Sequence, residues 1–119
     1  MKQISRKVTK RTKKLTAKQR SKMVLDAICA ERDRQDGFVE TGVFPFNCSS
    51  SEVSDKEKLP ILGEEFGEVC RAVYEREHQP RAGSTEECYR MCDERREHLR
   101  DELIQLAAVA KAWAESLTR

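Results

Sequence analysis

Apolar residues recur three and four apart in three stretches of the chain, and each stretch predicts a helix. The clearest lies within residues 59–74. There Leu62, Phe66, Val69, Cys70 and Val73 fall in one stripe, at about 100° per residue, and are expected to bury. An earlier stretch, from residue 17 to about 36, carries Val24, Ala27, Ile28, Glu31 and Gln35 on one face, with Thr16 placed to cap it. Residues 85–117 contain no Gly or Pro and predict one helix of roughly 50 Å, with a break near 93–97 as the alternative. Its first part is polar, with Cys88, Cys92 and Leu99 in a thin stripe. From Leu103 onward it is apolar nearly all round.

Residues 37–58 have no helical period. They hold Gly37, Gly42, Pro45, a Cys-Ser-Ser-Ser run from Cys48, and the aromatic residues Phe38, Phe44 and Phe46. A connection of this length serves a purpose. Either the Phe side chains pin it to the core, or one of them stacks on a nucleobase. Ser54 or Asp55 starts the second helix, with Pro60 in its first turns. The segment 79–83 forms a turn, and Ser84 with Glu87 resembles a capping box. Helices joined by so short a turn pack antiparallel. A helix apolar on every side needs cover on every side, which three helices do not supply. The pattern therefore predicts an all-α, antiparallel helical bundle completed by oligomerisation, as a dimer or a tetramer.

At 119 residues there is room for one domain, residues 17–119, preceded by a tail, 1–16. A 37% charged and 6% aromatic composition suits an aliphatic helical core. The formal charge of +2 is unevenly spread. Residues 1–22 carry ten Lys or Arg and no acid, which leaves −8 on the remainder. The tail is expected to be a solvated, disordered arm, with nucleic-acid attraction through residues 1–22 as the alternative use. No window approaches 18 uncharged apolar residues, so no membrane span is expected, and the basic N-terminus lacks the apolar core of a secretory signal. A cytoplasmic location follows as the expectation. The five cysteines form no Cys-x-x-Cys pair and read as small hydrophobes, Cys70 on the core stripe. Cys88, Cys92 and His98 match no zinc spacing and lack a fourth ligand.

The chemistry concentrates in carboxylates. Glu64, Glu65 and Glu68 lie inside the apolar run of the second helix. Glu65 and Glu68 share a face with Ile61 and Ala72, and Glu64 lies one step round. Such a run can be a solvated face. Placed among Ile and Ala, however, adjacent carboxylates repel unless a cation or proton sits between them. A hard divalent ion is the natural partner, Mg2+ first and Mn2+ as its substitute. Glu102 opens the apolar part of the third helix, with Gln105 one turn on, so both can face Glu65 and Glu68 across an antiparallel pair. Asp101 points nearer to solvent. Glu31 is a further carboxylate on a largely apolar stripe, fit to reach an Arg, a substrate or a metal-bound water. Arg32 and Arg34 beside it suit a phosphate or an ion pair.

Glu64-Glu65-Phe66-Gly67-Glu68 resembles the Glu-Glu-x-x-Glu motif of the MazG-like, all-α nucleoside triphosphate pyrophosphohydrolases, and Glu102-Leu103-Ile104-Gln105 stands where that family has Glu-x-x-Asp. The resemblance runs from about residue 25 to 117. It includes the Glu-Arg-Asp-Arg-Gln start at Glu31, the lead-in from Lys58, and the Leu-Ala-Ala-Val-Ala-x-Ala-Trp ending at Trp113. It implies Mg2+-dependent hydrolysis of a nucleoside or deoxynucleoside triphosphate to the monophosphate and pyrophosphate, in a dimeric or tetrameric bundle. Glu64, Glu65, Glu68, Glu102 and Gln105 then become the metal ligands, with Glu65 and Glu68 catalytic. Glu31, Arg34, Lys58, Arg71 and Lys111 are the candidates for substrate binding. Gln105 departs from the family's Asp and brings no charge. The alternative is a non-catalytic helical scaffold whose basic tail binds nucleic acid.

Overall fold

Two capping boxes set where the first two helices begin. In the computed structural model, which describes residues 14–78 and 85–118, α1 spans Ala17–Glu40, α2 Asp55–Glu77 and α3 Thr85–Ser116. The three helices pack together, and the described residues contain no strand. At the start of α1 the Thr16 hydroxyl accepts from the Gln19 amide at 3.1 Å, and the Gln19 side chain accepts from the Thr16 amide at 2.9 Å. Ser54 and Glu57 make the same reciprocal pair at the start of α2. Each box satisfies two amides that the first turn leaves without a helical partner.

α1 runs four residues past the expected end near Asp36. Gly37 is accommodated within the helix. The stop comes at Gly42, whose φ of +78° is a left-handed conformation that suits glycine. The added turn carries Phe38, which meets Phe44 edge-on with ring centroids 5.5 Å apart. α3 is continuous, without the alternative break near 93–97. The turn at 79–83 and the cap at Ser84 lie outside the described residues, as do residues 1–13 of the basic tail.

α3 is the central rod and packs against both other helices. Trp113 donates its indole N–H to Asp55 at 2.8 Å, and Lys58 donates to the Ser116 hydroxyl at 2.8 Å. At the other end Arg95 pairs with Glu75 at 2.9 Å. These contacts set α2 and α3 antiparallel. The apolar residues sealed from solvent are Cys48, Val69, Ala72, Ala108, Val109 and Ala112, with Ile61, Leu62 and Trp113 packed against Cys48, Val109 and Ala112. Ala72, Ala108 and Ala112 are at most 1% exposed, and side chains this small let helix axes approach closely.

The α2 stripe expected to bury does so only in part. Val69 is buried and Leu62 half-buried, but Phe66 is 58% exposed, Val73 is about one-third exposed and Cys70 is on the surface. The face that docks on α3 is the flanking one, with Lys58, Ile61, Glu65, Val69 and Ala72. Both faces are apolar enough to pack, and the alanine-bearing one fits the alanines of α3 at short range. The buried thiol is accordingly Cys48, not Cys70. No helix of the described residues is long and apolar enough to cross a membrane.

Candidate functional site

Turning that flanking face inward brings carboxylates from two helices together. Glu65 and Glu68, three apart on α2, meet Glu102 of α3, and one carboxylate oxygen from each lies within 4.8 Å of the others. Glu102 is only 9% exposed. Among the described residues, Oε2 of Glu65 and Oε2 of Glu102 are buried with no donor in reach. A buried acceptor without a donor carries the full cost of its lost hydration, and two residues of this cluster each hold one.

The electrostatics follow from this crowding. Burial first, then the charges of Glu68, Glu102, Glu64 and Glu31, push the Glu65 carboxyl up to about 7. Glu102 is raised as well, by burial and by a carboxyl–carboxylate hydrogen bond with Glu68, against a smaller opposing pull from His98. His98 approaches Glu102 at 3.8 Å. Like charges this close share protons or a cation. The oxygens of an octahedral Mg2+ shell stand about 3 Å apart when adjacent and about 4 Å when opposite, from bonds of about 2.1 Å. Glu65, Glu68 and Glu102 offer oxygen donors of the right kind for a hard cation, and to share one ion their oxygens would close from within 4.8 Å of one another by up to about 2 Å.

One cavity reaches the cluster at Glu65, and a second lies on the other side of Glu31 and Arg34. The larger, about 530 Å³, lies between α1, the 41–54 connection and α2, with Val109 of α3 in its wall. Phe38, Phe44 and Phe46 line it, and Glu64 and Glu65 form its acidic side. The smaller, about 460 Å³, lies between α1 and α3 and takes in Arg100, Asp101 and Gln105. Glu31 and Arg34 line both. They form a two-point ion pair, Nε to Oε2 at 2.8 Å and Nη2 to Oε1 at 2.5 Å. Arg34 also lies over the Phe38 ring, 5.1 Å from its centroid. Phe38 and Phe44 hold each other, and all three Phe side chains line the larger cavity.

The remaining sequence candidates are scattered. Glu64 is exposed and borders the larger cavity, while Gln105 is half-buried in the smaller one. Lys58 is 2% exposed, lines neither cavity and sits two turns before Glu65, about 10 Å along the axis. Arg71 projects into solvent and pairs with Glu75, and Lys111 pairs with Glu115. Arg32 is 5% exposed and is held by Asp36 at 3.0 Å and Gln35 at 3.1 Å. Sequence reasoning missed Asp36 and Asn47. Their only local signal was that an acid near a helix end precedes a loop rich in Asn and Ser, a pattern suited to side-chain turns. No family model, no curated protein and no solved structure matches the chain.

Proposed function

We propose that the protein is an Mg2+-dependent nucleoside triphosphate pyrophosphohydrolase of the MazG-like kind, completed as a homodimer or tetramer. The observation that carries the reading is the convergence of Glu65, Glu68 and Glu102, with two buried oxygens lacking donors, beside a cavity walled by three Phe side chains. A cavity of about 530 Å³ is of a size that holds a small organic ligand, and an aromatic wall suits a base, since every base has a face to stack.

In this reading water adds to the α-phosphorus, the bridging oxygen leaves with the β-phosphorus, and pyrophosphate departs. Mg2+ would supply charge neutralisation at the phosphate oxygens and a water of lowered pKa. Glu65 and Glu68 of α2 and Glu102 of α3 would hold the ion, with Glu64 beside them on α2. Glu65 orients the attacking water and takes its proton. Arg34 stands at the wall shared by the two cavities, where a phosphate can compete with Glu31 for its guanidinium. Gln105 offers a carbonyl oxygen where the family carries a charge.

The uncovered apolar face supports the oligomer. Leu59, Phe66 and Val73 repeat every seven residues along α2 and are 60%, 58% and 37% exposed, and Leu103 of α3 is 46% exposed. A seven-residue apolar repeat is the pattern of a helix that packs along its length.

The test is incubation with each of the common NTPs and dNTPs plus Mg2+, reading pyrophosphate release. Turnover that is lost in Glu65→Ala and Glu68→Ala supports the reading. Turnover seen only in Gln105→Asp marks a degenerate enzyme. No turnover in either form refutes hydrolysis. Salt-sensitive DNA or RNA binding that disappears with residues 1–22 would then identify the non-catalytic scaffold.

A further inference from the structure

The aromatic wall of the larger cavity stands on a connection of fourteen residues, 41–54, that has no helix of its own. Phe44 holds it to Phe38 of α1 and Cys48 packs into the core, and its polar attachment at Asn47 runs through one side chain of α1. Asp36, in the last turns of α1, accepts from the Asn47 side-chain amide at 2.9 Å, and the Ser49 hydroxyl, 3.5 Å from Asp36, donates to the Asn47 side-chain oxygen at 2.5 Å. The same carboxylate accepts from Arg32 at 3.0 and 3.2 Å. Arg32 is buried and reaches toward Glu115 of α3 at 3.7 Å. On the loop side, Asn47 turns its carbonyl oxygen back on the chain, accepting from the Ser49 amide at 2.8 Å. Asn47 and Cys48 line the cavity, whereas Asp36 and Arg32 do not.

The geometry points to Asp36 as a positioning residue that sets the shape of the ligand cavity without touching the ligand. This rests on the hydrolase reading for the ligand's identity, but not for the clamp itself. Three features make the assignment specific. Arg32 is oriented by Gln35 and by Asp36 itself, so the carboxylate is presented in one direction. Charge-assisted hydrogen bonds are the strong ones and hold geometry well. And Phe46 precedes Asn47 directly, while Phe44 is held separately by Phe38, so a shift of the anchor at Asn47 moves the Phe46 ring in the cavity wall. Releasing the clamp should weaken capture of the base-bearing substrate and leave Glu65, Glu68 and Glu102 as they are.

The experiment compares Asp36→Ala, Asp36→Asn and Asn47→Asp with the unsubstituted full chain. Asp36→Asn keeps an oxygen for Asn47 and loses the charge and one of the two acceptors toward Arg32. Asn47→Asp sets a second carboxylate against Asp36 and breaks the clamp from the loop side with the Arg32 pair intact. Hydrogen exchange at the Ser49 and Ser50 amides is read first. It should quicken roughly tenfold in Asp36→Ala and Asn47→Asp, the factor for losing a hydrogen bond or two, and less in Asp36→Asn. With the best-hydrolysed dNTP, KM should rise about tenfold by the same factor, with kcat and Mg2+ affinity held and KM partly recovered in Asp36→Asn. Unchanged exchange in both breaking variants overturns the clamp whatever the activity. Faster exchange with an unchanged KM, or an equal fall in kcat, overturns the positioning role. Absence of pyrophosphate release by the unsubstituted chain refutes the hydrolase reading and leaves the exchange result standing.

Discussion

Replacing Glu65 with Gln tests the carboxylate cluster through stability alone. The Glu65 carboxyl rises from the ordinary 4.5 to about 7, chiefly through burial and then through Glu68 and Glu102. A raised folded-state pKa means that the native protein holds its proton where the unfolded chain has released it. The stabilising contribution is therefore complete below about pH 4.5 and is lost as pH climbs through about 7. At about 1.36 kcal/mol per pKa unit, the full cost of ionised Glu65 above pH 7 is roughly 3 kcal/mol. The side chain is only partly sheltered, and water screens its repulsion, so about 1.5 kcal/mol is the working figure. Glu65→Gln keeps the shape and removes the charge. At pH 8 without metal, the variant should melt roughly 5–10 °C above the unsubstituted protein, and at pH 4.5 the two should nearly coincide. Mg2+ reverses the ranking, because a ligand at ten times its Kd adds about 1.4 kcal/mol and the Glu65→Gln variant has lost one anionic ligand. Thermal unfolding followed by circular dichroism, at both pH values and with and without Mg2+, reads all four conditions. A variant that melts lower than the parent at pH 8, or that gains as much from Mg2+ as the parent does, would refute the reasoning.

Phe66→Asp should lower the solution mass of the assembly, read by light scattering, because it replaces an anchor worth about 2 kcal/mol when buried with a charge; an unchanged mass sinks the α2 interface. Lys58→Met should leave pyrophosphate release intact and raise urea stability by about 1 kcal/mol. It fills the same space and removes a buried ammonium held by the Ser116 hydroxyl. A large loss of activity would restore Lys58 as a phosphate ligand. Ala112→Leu should cost about 1–3 kcal/mol in the same urea assay, since Ala112 is 0% exposed and an added isobutyl group forces α3 away from its neighbours. A neutral result would mean that the helices pack more loosely than the buried alanines indicate.

The helices themselves were legible in the residues. Periodicity marked all three, and the cap of α1 at Thr16 was readable, because capping involves groups three residues apart. The pairing of the Glu65 and Glu68 carboxylates with Glu102 was also within reach, since a short connection between two helices leaves little choice but antiparallel packing. Less legible was the side of α2 that α3 would cover. Phe66 and Val73 outweigh Ala72 in any count of hydrophobicity, yet Ala72 is the buried one. Hydrophobicity ranks how much a residue gains from burial. Close approach of two helices is governed by how little the side chains occupy.

Local sequence thus determined the elements and the acidic residues they carry, because hydrogen bonds within a helix and its caps reach only three or four positions. Tertiary structure decided the rest: that Lys58 is buried and held by Ser116, that Arg32 is buried and reaches Glu115 of α3, that Asp36 anchors Asn47 eleven residues on, and that Glu31 borders the cavity of Glu65. These are choices among partners far apart in the chain, settled by which groups meet when three rods pack, and no spacing along the sequence encodes them.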